Sequence, residues 1–211
     1  SLLLDVNAYL ATLTDDDTKS LMQNMVNLNV DENSSYERAE SAVSPSANTF
    51  KVGMECDYAP YNWTQNTDAN GGYPIANQPG KYANGYDVQI AYNIAESLGL
   101  KLEIRALPWE GLIPAVQSGA LDAIVAGMSP TDERKEEIAF STPYYNSNLV
   151  IVTRKDSSVY GKTTLADIDV SGIKIAGQPG TFHLDALKAQ TTQLTVVDSL
   201  ATFSDMLMAL N

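Results

Sequence analysis

Apolar side chains recur at helical spacing near the start of the chain. Residues 3–13 bring six of them to one face of a helix: Leu3, Leu4, Val6, Tyr9, Leu10 and Leu13. An acidic run, Asp15 to Asp17, then follows Thr14, as in the first turn of a second helix that carries Met25 on its apolar face. The pattern predicts two short amphipathic helices within residues 1–30.

Large apolar side chains are almost absent between residues 27 and 48, where Asn, Ser, Glu and Ala predominate. The segment closes with Ser44-Pro45-Ser46-Ala47-Asn48, a composition typical of a flexible connection. We therefore expect a linker over residues 31–48 and a domain boundary near residue 48.

Strand and helix patterns alternate after this boundary. The predicted strands cover residues 50–54, 101–106, 122–126 and 149–153, and the predicted helices cover residues 86–98 and 109–117. The continuous apolar run over 122–126 is typical of a parallel strand that is covered on both faces. A stretch rich in Gly, Asn and Pro over residues 62–85 lacks periodicity and is predicted to be a surface loop. The alternation indicates an α/β fold with parallel-rich sheets.

The alternation resumes in the last third of the chain. Strand patterns lie at 173–176 and 194–197, and helix patterns at 182–188 and 202–210. We therefore expect a first lobe over residues 49–153 and a partial second lobe over residues 154–211. The second lobe is expected to be incomplete because its last predicted helix runs into Asn211.

Charge and composition exclude several functions. The chain has 13 basic and 26 acidic residues, a net charge of -13, which repels nucleic acid and anionic membranes. One cysteine and one histidine cannot supply a zinc or di-metal cluster, so we expect no metal and no cofactor. No segment has the length and apolarity of a membrane span or the pattern of a signal peptide, and the compartment stays open on composition alone.

Ligands of open parallel sheets lie beyond the carboxyl ends of the strands. The residues that follow the predicted strands provide an arginine, two aromatic faces, a carboxylate and two helix starts, a combination that suits a zwitterion. The candidate site residues are Glu55, Tyr58, Trp109, Gly127, Met128, Ser129, Arg134, Gln178, Thr181 and Phe182.

Several of these residues have a plainer interpretation. Arg134 could clamp a carboxylate or form a surface salt bridge with Glu133 or Glu137. Tyr58 and Trp109 could flank a ligand or belong to the core or its rim, and Glu55 could pair with an ammonium group or be solvated. Catalysis by Cys56 and His183 is disfavoured, because the two residues would come from different lobes and no third group orients them. We predict no catalytic residue.

Five ordered motifs resemble those of a known family. They are residues 52–61 (VGMECDYAPY), 84–88 (NGYDV), 109–115 (WEGLIPA), 127–135 (GMSPTDERK) and 140–145 (FSTPYY). Together they resemble the polar amino-acid-binding receptors of ABC importers, which are bacterial extracellular solute-binding proteins of family 3. The resemblance covers residues 50–211 and implies a periplasmic-binding-protein-like (type II) fold, in which two lobes close on one amino acid.

The resemblance also implies roles for the candidate residues. Arg134 would hold the α-carboxylate, with help from Ser129 and from the amides of Thr181 and Phe182. The Gly127 carbonyl would accept from the ammonium group. Glu55 stands where the family usually has aspartate, Tyr58 and Trp109 match its aromatic walls, Met128 lies within the matching segment, and Gln178 matches a position that faces the ligand side chain.

The order of segments departs from the family pattern. Residues 2–30 resemble the helices that close the family's chains, whereas the second lobe of this chain lacks segments that family members contain. Two explanations stay open: a piece of a tandem array of such domains, or a permuted or incomplete chain. Either allows contacts between neighbouring domains or an exchange of the helices between copies.

These inferences predict a bacterial, extracytoplasmic solute-binding domain, in the periplasm or on the outer face of the membrane. It would capture a polar amino acid by hinge closure and deliver it to the permease of an ABC importer, without chemistry. One alternative is an enzyme on the same fold, of the dehydratase or lytic transglycosylase type, with Glu55 as general acid. Another is the ligand-sensing domain of a signalling receptor.

Overall fold

The chain divides into two units, residues 1–146 and 147–211, in a computed structural model that describes residues 1–211. The elements of unit 1 are, in order, α1 (Leu2–Leu10), α2 (Asp15–Val30), β1 (Thr49–Met54), β2 (Asp57–Tyr58), β3 (Asn62–Gln65), a 3₁₀ turn (Ala69–Gly71), β4 (Tyr73–Pro74), β5 (Tyr82–Asn84), α3 (Tyr86–Leu98), β6 (Lys101–Ala106), α4 (Trp109–Gln117), β7 (Ala123–Ile124) and α5 (Asp132–Glu137). None of the chain's helices is both long and apolar enough to cross a lipid bilayer.

A three-stranded parallel sheet forms the centre of unit 1. Its order is β6-β1-β7, and β1 pairs with β6 from Thr49 opposite Lys101 to Met54 opposite Ala106. The chain packs closely at β1, since a Cβ on Gly53 would lie 2.3 Å from a side-chain carbon of Leu121. The predicted parallel α/β architecture is confirmed, although the third strand is shorter than the predicted 122–126.

Helix α3 is buried over most of its circumference. Gly85 precedes it at φ 128°, and Gly99 ends it in the left-handed conformation at φ 64°, which explains the sharp helix limits. Nine of its residues are buried: Tyr86, Asp87, Val88, Gln89, Ile90, Ala91, Tyr92, Ile94 and Ala95. The helix therefore belongs to the core of the unit and not to its surface.

The segment 62–85 is not a loop, as the sequence pattern predicted, but part of a second sheet. This antiparallel sheet has the order β2-β3-β5-β4. Its strands have two to four residues, and buried Asn62 and Asn84 occupy positions where a periodicity search expects apolar side chains. Short strands with polar residues inside leave no detectable alternation, which is why the prediction was wrong.

The two N-terminal helices pack against α3 of the same chain. Leu10, Met22 and Met25 belong to the buried core of unit 1, and Met25 has no exposed surface. Thr14 and Asp17 form a reciprocal capping box at the start of α2. Leu4, which was predicted to face inward, is 67% exposed, so the apolar face of α1 is narrower than expected.

The predicted linker has no regular secondary structure but is tied to unit 1 through residues 36–42, which we call the strap. The Arg38 guanidinium lies 4.3 Å from the centroid of the Tyr92 ring and donates to the Gly71 carbonyl at 2.6 Å. The Tyr92 hydroxyl donates to the Ala39 carbonyl, and the Glu96 carboxylate accepts from the Ala42 amide. The strap thus runs along α3, whereas its composition had indicated a free connection.

Unit 2 contains a two-stranded parallel sheet and three helices. Its elements are α6 (Leu165–Ile168), β8 (Lys174–Ala176), α7 (Phe182–Gln190), β9 (Thr195–Val197) and α8 (Phe203–Leu210). The predicted strand at 149–153 is absent, and Val150 and Val152 are 80% and 63% exposed. A β-strand needs a hydrogen-bonding neighbour, and no strand pairs with this segment, so its apolar pattern alone was misleading.

The packing of α2 predicts the outcome of one substitution. Met25→Ala should lower the free energy of unfolding by about 2–5 kcal/mol, because it leaves a cavity at a fully buried position. Val30→Ala, at an exposed position of the same helix, should change it by less than about 0.5 kcal/mol. Urea unfolding followed by circular dichroism measures both. Equal unfolding midpoints for the two variants would show that α2 does not pack on the rest of unit 1.

Candidate functional site

The carboxyl ends of the parallel strands bring seven of the ten predicted site residues to one edge of the sheet in unit 1. Glu55 and Tyr58 follow β1, Trp109 follows β6, and the segment 127–134 follows β7. Because the three strands are parallel, these segments all emerge at the same edge. The sequence-based placement of this part of the site agrees with the geometry, whereas the functional roles stay predictions.

Arg134 is held between a backbone carbonyl and an aromatic ring. Its Nη1 donates to the Ser129 carbonyl at 2.8 Å, and its Cζ lies 5.2 Å from the centroid of the Trp109 ring. The Thr131 hydroxyl caps α5 by accepting from the Arg134 amide. The bond to Ser129 orients the guanidinium, whose fork of N–H donors matches the geometry of a carboxylate.

Tyrosine rings form a wall beside Gly127. Tyr58 stacks on Tyr61 with ring centroids 5.0 Å apart, and Tyr145 meets the edge of Tyr61 at 6.1 Å. A Cβ placed on Gly127 would lie 3.6 Å from the Tyr58 ring. Burial raises the pKa of Tyr58 to about 12, so its hydroxyl is neutral at physiological pH.

Two of the site loops contain a residue in the left-handed region. Gly127 has φ 60°, which a side chain would strain, and Cys56 has φ 59° despite its side chain. Glu55, which precedes Cys56, and Met128, which follows Gly127, are half-buried. Burial raises the pKa of the Cys56 thiol to about 12, so the thiol stays protonated and is a poor nucleophile.

Asp87 is a buried residue of this region that the sequence reasoning did not single out. It lies in the first turn of α3, accepts from Asn62 Nδ2 at 2.8 Å, and accepts from the Tyr144 hydroxyl at 2.8 Å. The Tyr144 hydroxyl in turn accepts from the Gly127 amide at 2.9 Å. One sequence signal could have identified Asp87: it is an acidic residue within the motif 84–88, just after the glycine that precedes a predicted helix.

The three remaining candidates lie in unit 2, around the turn between β8 and α7. Gln178 is buried and donates to the Ala201 carbonyl at 3.0 Å, and Thr181 donates its hydroxyl hydrogen to the Gln178 carbonyl at 2.7 Å. Phe182 is the first residue of α7, and its ring lies 4.4 Å from that of His183. Gln178 therefore helps to hold this turn, and its role toward a ligand stays a prediction.

No group of three or more His, Cys, Asp or Glu side chains is arranged to hold a metal ion. The site in unit 1 instead offers an arginine, backbone carbonyls and amides, a carboxylate and aromatic faces. This chemistry suits a small zwitterionic molecule with an apolar stem.

The comparison with known protein families agrees with this type of site. The family model of the bacterial extracellular solute-binding proteins, family 3, matches residues 50–204. The chain belongs to this family. The match includes the site loops of unit 1 and the turn between β8 and α7.

Individual relatives of this chain support the family assignment. A probable histidine-binding protein of Campylobacter jejuni is 32% identical over 72% of the chain, and the chain spans 54% of that relative, about half its length. The substrate-binding protein of an amino acid ABC transporter, known from its crystal structure, is 34% identical in sequence to this chain, with a TM-score of 0.63. The match covers 77% of this chain and 65% of that protein's chain. An ancestral amino acid-binding protein, a precursor of cyclohexadienyl dehydratase, is 28% identical, with a TM-score of 0.65 and the same coverage.

These neighbours confirm the two-lobed type II fold, of which this chain has an incomplete second lobe. Unit 2 holds a two-stranded sheet, and the chain is shorter than the proteins that it matches.

The buried carboxyl of Asp87 predicts a pH dependence of stability. Burial raises its pKa to about 6, and hydrogen bonds from Asn62, Tyr144 and the Gly127 amide offset only part of this rise. The folded state therefore binds a proton more readily than the unfolded state, so this group's contribution to stability increases as the pH falls through 6 and is lost as the pH rises.

Relative to Asp87→Asn, the wild-type protein should gain on the order of 1 kcal/mol of unfolding free energy between pH 7.5 and pH 5. Urea unfolding of both proteins at the two pH values measures this difference. A difference between the proteins that does not change with pH would show that Asp87 does not titrate in this range.

Proposed function

We propose that this chain is the ligand-binding part of an extracytoplasmic receptor that captures a polar α-amino acid and passes it to the permease of an ABC importer. The observation that carries the proposal is the placement of the Arg134 guanidinium over Trp109, where it donates to the Ser129 carbonyl. Membership of the extracellular solute-binding family and the names of the relatives support it.

In this proposal the α-carboxylate binds the guanidinium fork of Arg134. A charge-assisted, two-pronged contact suits a planar carboxylate, and the ring of Trp109 on one side excludes water from it. The bond to Ser129 holds the guanidinium before the ligand arrives, so less conformational entropy is lost on binding.

The ammonium group would lie toward the Gly127 carbonyl and the carboxylate of Glu55. The Tyr58 ring would cover the aliphatic stem with a flat, rigid face that loses little freedom on binding. Gly127 is suited to this contact because a larger residue would be strained at its positive φ.

The candidate residues of unit 2 would keep the roles that the family resemblance implies. The amides of Thr181 and Phe182 at the start of α7 would donate to the carboxylate, and Gln178 would face the ligand side chain. Closure of the two lobes on the amino acid would then be driven by the difference in ligand affinity between the closed and open states.

We also propose the division of the chain that its pattern predicts. Residues 1–30 would be the family's closing helices, 31–48 a connection, 49–153 lobe 1 and 154–211 part of lobe 2. The packing of α1 and α2 on α3 supports the first assignment. Exchange of these helices between copies stays a prediction.

An enzyme is the second candidate, because one neighbour is a precursor of cyclohexadienyl dehydratase. Calorimetric titration with the twenty common L-amino acids, L-histidine first, separates the two functions when the mixtures are analysed by mass spectrometry. A binding protein gives saturable heat and returns its ligand unchanged. If the wild-type protein converts the ligand and Glu55→Gln does not, the result would instead support an enzyme with Glu55 as general acid.

Arg134 provides the direct test of the carboxylate contact. Arg134→Ala should reduce amino-acid affinity at least 100-fold, since a charge-assisted contact whose partner is left unpaired is worth several kcal/mol. Arg105→Ala, on the surface of β6, should leave affinity unchanged. Calorimetry on folded protein measures both, and an Arg134→Ala affinity within threefold of wild type would reject the proposed contact.

Trp109 tests the aromatic wall. Trp109→Ala should weaken binding by about 1–3 kcal/mol through the loss of apolar contact, and Trp109→Phe should weaken it much less because a flat ring is kept. The same titrations give both values. Equal losses in the two variants would point away from apolar contact and toward the indole N–H or the fold itself.

A further inference from the structure

Asp87 connects the two ligand loops of unit 1 without lying in either of them. We propose that Asp87 is a positioning residue, which holds the loop after β1 and the loop after β7 in their binding conformations. The positioning role is read from the hydrogen bonds of the chain, and its effect on amino-acid affinity rests on the proposed function.

One arm of the network ends at Gly127. The Tyr144 hydroxyl donates its single hydrogen to Asp87 Oδ1 at 2.8 Å, so its lone pairs are available to accept from the Gly127 amide at 2.9 Å. The Tyr144 carbonyl is itself held, because it accepts from the Tyr86 hydroxyl at 2.8 Å. Asp87 therefore directs the Tyr144 hydroxyl hydrogen toward itself, which turns the hydroxyl lone pairs toward the Gly127 amide.

The other arm ends at Cys56. Asn62 Oδ1 accepts from the Cys56 amide at 2.8 Å, which orients the side-chain amide so that Nδ2 donates to Asp87 Oδ2 at 2.8 Å. The two arms thus end at the two left-handed residues of the site loops, Cys56 at φ 59° and Gly127 at φ 60°. Glycine adopts this conformation without strain, but at Cys56 it persists only where surrounding contacts determine it.

Packing alone does not account for a carboxylate in this place. Asp87 is fully buried, its hydrogen-bond partners Asn62 and Tyr144 are neutral, and the neighbouring Tyr86, Tyr58 and Cys56 are neutral as well. A buried charge with neutral partners costs stability that an apolar residue would not. What the carboxylate supplies, and an apolar residue cannot, is an acceptor for two donors at once.

The chain offers a rescue variant that keeps the network and moves the charge. In Asp87→Asn alone, one of the two donors that face residue 87 meets another donor. In the double variant Asn62→Asp/Asp87→Asn, the new carboxylate at 62 accepts from the Cys56 amide and from the new amide at 87, which still accepts from Tyr144. The double variant therefore keeps every hydrogen bond of the network and exchanges the donor and the acceptor between positions 62 and 87.

Amide hydrogen exchange of Cys56 and Gly127, followed by NMR, tests the positioning role without a ligand. Tyr144→Phe should speed exchange at Gly127 at least tenfold and leave Cys56 unchanged. Asp87→Asn should speed exchange at one or both, and the double variant should return both to within threefold of wild type. Tyr73→Phe, which removes a hydroxyl bonded to the Leu102 carbonyl, serves as the matched control and should affect neither amide.

Titration of the same proteins with the twenty common L-amino acids, L-histidine first, supplies the second measurement. Asp87→Asn should lower affinity at least tenfold, and the double variant should recover it to within threefold. Unchanged exchange at both amides in Asp87→Asn, or unchanged affinity despite faster exchange, overturns the inference. If wild-type protein binds no amino acid, the proposed function fails, and the exchange rates alone decide whether Asp87 positions the loops.

Discussion

The structure of unit 1 depends on the burial of α3. The parallel sheet, the antiparallel strands, the two N-terminal helices and the strap all contact this one helix. Buried apolar surface is the main favourable term in folding, and α3 contributes seven of the buried residues of this core. The helix can serve every layer because nearly its whole circumference is covered, with polar residues such as Gln89 and Asp87 included in the buried set.

Both ends of α3 have functions beyond packing. Its C-terminal half carries Tyr92 and Glu96, to which the strap is tied, so the N-terminal helices are held on the core by contacts of their connection as well as their own. Its N-terminus presents Asp87 to the loops that follow β1 and β7. The start of the helix thereby links the hydrophobic core to the edge of the sheet where the candidate site lies.

The electrostatics of the site differ from those of the surface. The chain carries a net charge of -13, yet the group proposed to bind the ligand carboxylate is the guanidinium of Arg134. Around it the tyrosines and Cys56 are neutral, because burial raises their pKa values. A cation beside these neutral groups can recognise a carboxylate by direct contact, whereas the net negative charge of the chain repels anions at longer range.

Periodicity was sufficient to place the helices at Tyr86–Leu98 and Trp109–Gln117 and the strand at Lys101–Ala106, since each has a regular repeat of apolar side chains and Gly, Ser or Pro ends the helical patterns. The strand-end rule then brought Glu55, Trp109 and Arg134 to one edge. Tertiary contacts decided the rest. The antiparallel sheet within 62–85 depends on buried asparagines, residues 149–153 form no strand because no neighbour pairs with them, and the role of Asp87 exists only where Asn62 and Tyr144 meet it. Hydrogen bonds between residues far apart in sequence leave no local pattern, so they became visible only in the folded chain.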